Sequence, residues 1–135
     1  MKERGFPICV AAVVLLAGAA VHSLDAQQPP TVKRNILLKQ DMTIPGREAV
    51  MALVELPPGS AEGYHTHPAE VFVFVTEGTI KQEIEGNPDA ILKAGDYFYV
   101  APGKVHQATN NGSVPAKLAA VFVAEKGKPL TTPVK

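Results

Sequence analysis

From Thr31 onward the apolar residues come in short runs, many of them alternating with polar ones, and turn residues divide the runs. Val32, Ile36 and Leu38 mark a strand over Thr31 to Gln40, which either begins the domain or pairs with a neighbouring subunit. Pro45-Gly46 turns the chain, and the β-rich run Ala49 to Leu56 stops at Pro57-Pro58-Gly59. Val71-Phe72-Val73-Phe74-Val75 is continuously apolar, the pattern of a strand buried on both faces. After Glu77-Gly78, Thr79 to Glu85 alternates, with Ile80, Gln82 and Ile84 on one face and Lys81, Glu83 and Glu85 on the other. Short strands follow at Ala90 to Lys93, Tyr97 to Val100, Val105 to Thr109 and Leu118 to Ala124, separated by Gly86-Asn87-Pro88-Asp89, Ala94-Gly95-Asp96, Ala101-Pro102-Gly103 and Asn110-Asn111-Gly112. Lys126 onward reads as a polar tail. No stretch of this region carries a capped helical period, so the expectation is an all-β antiparallel sandwich or barrel.

The first residues follow another pattern. Lys2 and Arg4 precede an apolar run from Phe6 to Val21, then small and polar residues. This is the layout of a secretory signal peptide, with cleavage after Ser23 or Ala26. The run is short for a spanning helix, although an uncleaved anchor has the same layout. The expected organisation is a signal peptide at 1–26, a linker or arm at 27–46, a barrel at 47–124 and a tail at 125–135. A secreted or periplasmic location follows, with no membrane association after cleavage.

Composition narrows the chemistry. The single cysteine, Cys9, lies inside the leader, so the mature chain has no thiolate ligand, disulfide or cysteine nucleophile. The chain has thirteen basic and thirteen acidic residues, and no stripe of one sign, which argues against nucleic acid as a partner. Of four histidines, one lies in the leader. His65 and His67 stand two apart, and on an extended strand such residues point to the same side. Two neutral imidazoles are thereby offered to one point, the donor type preferred by several divalent transition ions.

The chain resembles the cupin superfamily, small jelly-roll barrels defined by two sequence motifs. The first reads Gly-x5-His-x-His-x3-Glu-x6-Gly, and Gly59, His65, His67 and Gly78 fall in its register. The second reads Gly-x5-Pro-x-Gly-x2-His-x3-Asn, and Gly95, Gly103, His106 and Asn110 match it, with Ala101 at the proline position. The resemblance spans roughly residues 47 to 124. It implies an antiparallel jelly-roll barrel and a metal site that adds His106 to His65 and His67. The motif's glutamate position is occupied by Val71, with Glu70 one residue early. Either the regular strand holds and the ligands are three histidines, or a bulge after Pro68 turns Glu70 inward. Asn110 reads more simply as a turn residue than as a ligand.

Three imidazoles leave open positions on a divalent ion (iron, manganese, nickel, copper or zinc), as a catalytic site requires. Metal retention should then fall below about pH 6.5, where free imidazole protonates. Phe72, Phe74 and Gln82 are expected to line the cavity beside the metal, Gln82 as a buried polar group needing a partner. The resemblance implies a metal-dependent oxidoreductase of dioxygenase type acting on a small apolar or phenolic molecule. The alternatives are a non-catalytic binding module and an isomerase or lyase. The arm and tail look free to cross to a partner, and a homodimer is expected.

Overall fold

The computed structural model describes residues 28–135, so the leader lies outside the described residues. The elements are β1 (Lys33–Asp41), β2 (Arg47–Leu56), β3 (His65–Thr66), β4 (Ala69–Glu77), β5 (Thr79–Ile84), β6 (Ala90–Lys93), β7 (Tyr97–Val100), β8 (His106–Thr109), β9 (Ala116–Glu125) and β10 (Thr132–Pro133). They form two five-stranded sheets, ordered β1-β2-β9-β4-β7 and β10-β3-β8-β5-β6, with every pairing antiparallel. The all-β expectation holds, and the strand boundaries fall where glycine, proline and asparagine interrupt the apolar runs.

Alternation along β2, β4 and β9 turns one side of each strand inward. Val50, Ala52, Val54 and Leu56 meet Leu118, Ala120, Phe122 and Ala124, together with Val71, Val73 and Val75, in one core. Ile80 and Ala108 close it from the opposite sheet. Each aliphatic side chain removed from water there contributes roughly 1.5–3 kcal/mol before the entropy of ordering is subtracted.

Two expectations need correction. The run Val71 to Val75 is not buried on both faces. Val71, Val73 and Val75 point inward, while Phe72 and Phe74 are 48% and 47% exposed. β4 lies in a sheet covered on one side only, so hydrophobicity alone did not reveal which positions face the core. The segment from Thr31 is also no free arm. β1 pairs with β2 along nearly its whole length, with a register shift between Ile36 and Leu38, and Pro45-Gly46 makes the hairpin turn between them. The tail is engaged too, since Thr132 and Pro133 pair with Thr66 and His65.

Asn110 explains its motif position structurally. It is buried, and its Nδ2 donates to the carbonyls of Leu56 and Val114 at 2.8 Å each, while its Oδ1 accepts from the Gly112 amide at 2.9 Å. One side chain thus braces the β8–β9 loop and ties it to the end of β2. Asn110→Ala should orphan the buried Leu56 carbonyl, release the Val114 carbonyl and Gly112 amide to solvent, and lower stability by roughly 1–3 kcal/mol in urea unfolding. A loss below about 0.5 kcal/mol would show that the loops hold themselves.

Candidate metal centre

His65 opens β3, and His67 follows it immediately, before Pro68 and the start of β4. His106 opens β8 directly across from His65 in the ladder. Cross-strand pairing therefore places the third imidazole beside the first two, which sequence spacing alone cannot do. The ring centroids lie 4.3 Å (His65–His106), 4.8 Å (His65–His67) and 5.0 Å (His67–His106) apart. One nitrogen from each ring lies within 4.8 Å of the other two, and all three residues are buried.

Backbone carbonyls set the tautomers. Nδ1 of His65 meets the Gly63 carbonyl at 2.7 Å, Nδ1 of His67 meets the Leu130 carbonyl at 2.7 Å, and Nδ1 of His106 meets the Lys104 carbonyl at 3.0 Å. A carbonyl can only accept, so each Nδ1 carries the proton and each Nε2 keeps its lone pair free. Such outer hydrogen bonds fix ring orientation and raise ligand basicity. The edge of His67 also packs against Phe122, with centroids 5.0 Å apart.

Burial pushes the imidazolium forms of His67 and His106 down to about 4, helped by the neighbouring histidines and, for His67, by Arg34. The hydrogen bonds to Leu130 and Lys104 oppose the shift without cancelling it. Both side chains are thus neutral donors far below neutrality. For these two residues the window of proton competition moves from about 6.5 to about 4, lower than free imidazole suggests. The sign for stability follows. Between about pH 6.5 and about pH 4 the unfolded chain takes up protons that the folded chain refuses, so acid favours unfolding. The metal-free protein should lose on the order of 3 kcal/mol per histidine across that window, and His106→Asn should lessen the loss. Chelator-treated protein unfolded in urea across the window checks this, and a flat profile contradicts it.

The histidines face a cavity of about 70 Å³ between the sheets, walled by Val54, Val71, Val73, Leu118 and Phe122. Exposed Arg34 and half-buried Glu62 also line it, 3.4 Å apart, and Glu62 Oε2 accepts from the Ala108 amide at 3.1 Å. Leu130 and Thr131 from the tail complete the lining. None of these four was singled out in the sequence. Glu62 sits in the spacer between Gly59 and His65, and the bridge from Ala61 to Thr109 brings it to the cavity. Arg34 and Leu130 arrive only through the pairings of β1 and β10. The tail is therefore part of the centre. Removing residues 129–135 should weaken metal affinity roughly 10–100-fold through loss of the Leu130 carbonyl, read by chelator competition. Unchanged affinity would show that His67 orients itself.

The remaining candidates separate clearly. Glu70 is exposed and pairs with Val123, while Val71 is 2% exposed and lines the cavity. The β4–β9 irregularity lies between Val75 and Glu77, too far along to re-aim Glu70. Glu70 thus points away from the cluster, and among the described residues the group able to hold an ion is the three histidines. Phe72 and Phe74 lie on the outer face and do not reach the cavity. Gln82 is buried, as its position between Ile80 and Ile84 suggested, and pairs with Ala108 on the inner face. Its Nε2 donates to the Glu83 carbonyl at 3.2 Å, while its Oε1 has no protein partner among the described residues. It does not line the cavity, although it stands one diagonal step from His106.

Three imidazoles with free Nε2 atoms on one wall of an interior cavity fit a divalent transition ion. The family model of the cupin domain matches residues 52–122. The chain belongs to the cupin family. It is 38% identical over 89 residues to germin-like protein subfamily 2 member 1 of Arabidopsis thaliana, covering 60% of this chain and 41% of that one. It is 30% identical over 77 residues to an oxalate-binding protein of Thermotoga maritima, covering 55% of this chain and 61% of that one. The match thus spans about two-fifths and three-fifths of the length of these curated relatives. Among solved structures it is similar to a Klebsiella pneumoniae protein with a double-stranded β-helix domain, with TM-score 0.65, 22% identity and coverage of 87% and 98%. It is also similar to oxalate oxidase in complex with glycolate, with TM-score 0.58, 24% identity and coverage of 64% and 46%. These two likenesses establish the cupin barrel as a fold. Arg34 and Leu130 lie outside the segment that the family model matches.

Proposed function

We propose that this cupin is an exported metal-dependent oxidoreductase of dioxygenase type acting on a small molecule. The observation that carries the reading is the set of three buried imidazoles, each Nδ1 engaged by a carbonyl, on one wall of an interior cavity. A divalent iron, manganese, nickel, copper or zinc ion held by His65, His67 and His106 supplies Lewis acidity and, when redox-active, electrons for reaction with dioxygen. The chain's own residues do the rest. Val54, Val71 and Phe122 keep water from the wall and support an apolar or phenolic body on the ligand. Arg34 supplies positive charge for a phenolate, enolate or carboxylate head, and Glu62 holds its guanidinium. A cavity of about 70 Å³ restricts the ligand to a compact one.

A second reading is a non-catalytic binding module. The small cavity favours it, as does the similarity to a protein named for binding oxalate. Metal analysis of the purified chain, followed by oxygen uptake with catechols, flavonols and small carboxylates on each metal form, separates the two. Uptake supports the oxidoreductase, while full metal occupancy with no turnover across that panel supports binding alone. Export through residues 1–26 to the periplasm or medium belongs to the same proposal. Fractionation with N-terminal sequencing tests it, and an intact Met1 on cytosolic protein would refute it.

A further inference from the structure

Arg34 and Glu62 stand at a boundary. Both line the interior cavity that the histidines face, and both also line an outer pocket of about 440 Å³. Gln28, Pro29, Pro30 and Val32, ahead of β1, wall the rest of that pocket together with Ala61. The two spaces share no other described residue. The pair is held unevenly. Glu62 is anchored, because its amide donates to the Ala108 carbonyl at 3.0 Å, its Oε2 accepts from the Ala108 amide at 3.1 Å, and its side chain is 10% exposed. Arg34 stands opposite Val54, which turns its side chain to the inner face, yet that side chain is 44% exposed and Glu62 is its one side-chain partner among the described residues. The Nη2–Oε1 contact of 3.4 Å is longer than the roughly 2.7–2.9 Å of a tight charge-assisted hydrogen bond. A pair with one exposed partner holds weakly, and exposed side chains change rotamer quickly. Other grooves adjoin the cavity, but behind firmer walls. One meets it at His67, whose ring is held by the Leu130 carbonyl and by Phe122. Two lie across a sheet, behind the backbone pairs Arg34–Val54 and Val73–Phe98, which open only if strands separate.

We infer that the Arg34–Glu62 pair is the entrance to the three-histidine centre and selects small anions, with Glu62 as a fixed post and Arg34 as the moving leaf. The inference rests on the metal-binding part of the proposed function and not on turnover. Neither residue occupies a defining position of the two sequence motifs, and Arg34 comes from β1, outside the segment that the family model matches. A guanidinium carries several N–H donors, and Glu62 engages one of them. An anion arriving in the outer pocket can accept from the remaining donors, draw the guanidinium off Glu62 and pass inward with it. The Ala108 amide takes up part of the charge that Glu62 is then left with. A neutral molecule gains nothing from the exchange and enters only when the leaf opens by itself. Apart from the imidazoles, Arg34 and Glu62 are the only titratable side chains among the described residues lining the cavity, so no second cation on the wall substitutes for Arg34.

The test loads the purified full chain with cobalt(II), whose visible absorption reports a ligand reaching the centre. Stopped-flow mixing at about pH 8 then compares azide, an anion, with imidazole, which is neutral there. Glu62→Gln removes the charge of the post with little change of shape. Imidazole association and dissociation should both rise roughly tenfold, with a dissociation constant within about threefold of the parent's. Arg34→Gln should weaken azide binding roughly tenfold or more and leave imidazole affinity within about threefold. Arg34→Lys, which keeps the charge, should recover most of the azide affinity. Glu55→Gln, in the groove behind the Arg34–Val54 backbone pair, should change neither ligand. Circular dichroism and cobalt content confirm that each variant is folded. Unchanged imidazole rates in Glu62→Gln, unchanged azide affinity in Arg34→Gln, or equal acceleration in Glu55→Gln would each overturn the inference, as would a parent chain that takes up no cobalt. A chain that meets all these expectations but consumes no oxygen keeps this entrance and loses the oxidoreductase reading.

Discussion

His67→Ala is expected to abolish stoichiometric binding of a divalent transition ion, with an affinity loss exceeding the roughly 10–100-fold typical of removing an outer-sphere partner. The ring is 7% exposed, and its Nδ1 is committed to Leu130, which leaves Nε2 with no other evident role than facing the cluster. Two remaining imidazoles hold an ion far less well than three, because each protein donor lost is replaced by water. His65→Ala and His106→Ala should behave alike, since the two residues face each other across the β3–β8 pairing. Glu70→Gln is the matched control. Its carboxylate is exposed on the opposite face of β4, so metal content should not change. Metal per chain by plasma emission, together with competition against a chromophoric chelator, reads both effects. Full occupancy in any histidine variant would remove that residue from the site, and metal loss in Glu70→Gln would return the carboxylate to it.

The largest effect on stability is expected from Gly78→Ala. Gly78 ends the turn between β4 and β5 with φ at +73°, a region that costs an L-residue about 1–2 kcal/mol. A Cβ there would also stand 2.6 Å from the Pro115 carbonyl oxygen and 2.8 Å from the Ala116 Cα. Both are backbone atoms, so no side-chain rotation relieves the overlap and the turn or the start of β9 must shift. The combined cost is roughly 2–5 kcal/mol. Gly59 has a similar φ of +76° but nothing within 4 Å of its would-be Cβ, and Gly59→Ala should cost about 1–2 kcal/mol. Urea unfolding of the two variants side by side measures the difference. Equal losses would show that φ alone accounts for the glycine at 78.

Both glycines belong to the first motif, and their unequal roles show where sequence reasoning stops. The spacing marks them as turn positions. Only the approach of the segment before β9, more than thirty residues away in the chain, makes one of them sterically indispensable. Gln82 shows the opposite case. Alternation from Ile80 to Ile84 placed it correctly on the inner face, because strand periodicity is a local property. Phe72 and Phe74 were misplaced because a continuous apolar run is compatible with one covered face or two. The number of layers over a sheet is not a local property.

The sequence by itself determined the all-β class, the longer strands and the turns between them, and the His65–His67 pair, each of which follows from backbone period and turn chemistry over a few residues, whereas β10 in the polar tail was not legible. Matching the cupin motifs added His106. Only the tertiary structure decided that Val71 rather than Glu70 faces the cavity, that Arg34, Glu62 and Leu130 border it, and that Phe72 and Phe74 lie on the outer face. Those outcomes depend on register and on contacts between distant segments. Pairing energies summed over whole strands set them, and no window of neighbouring residues contains that sum.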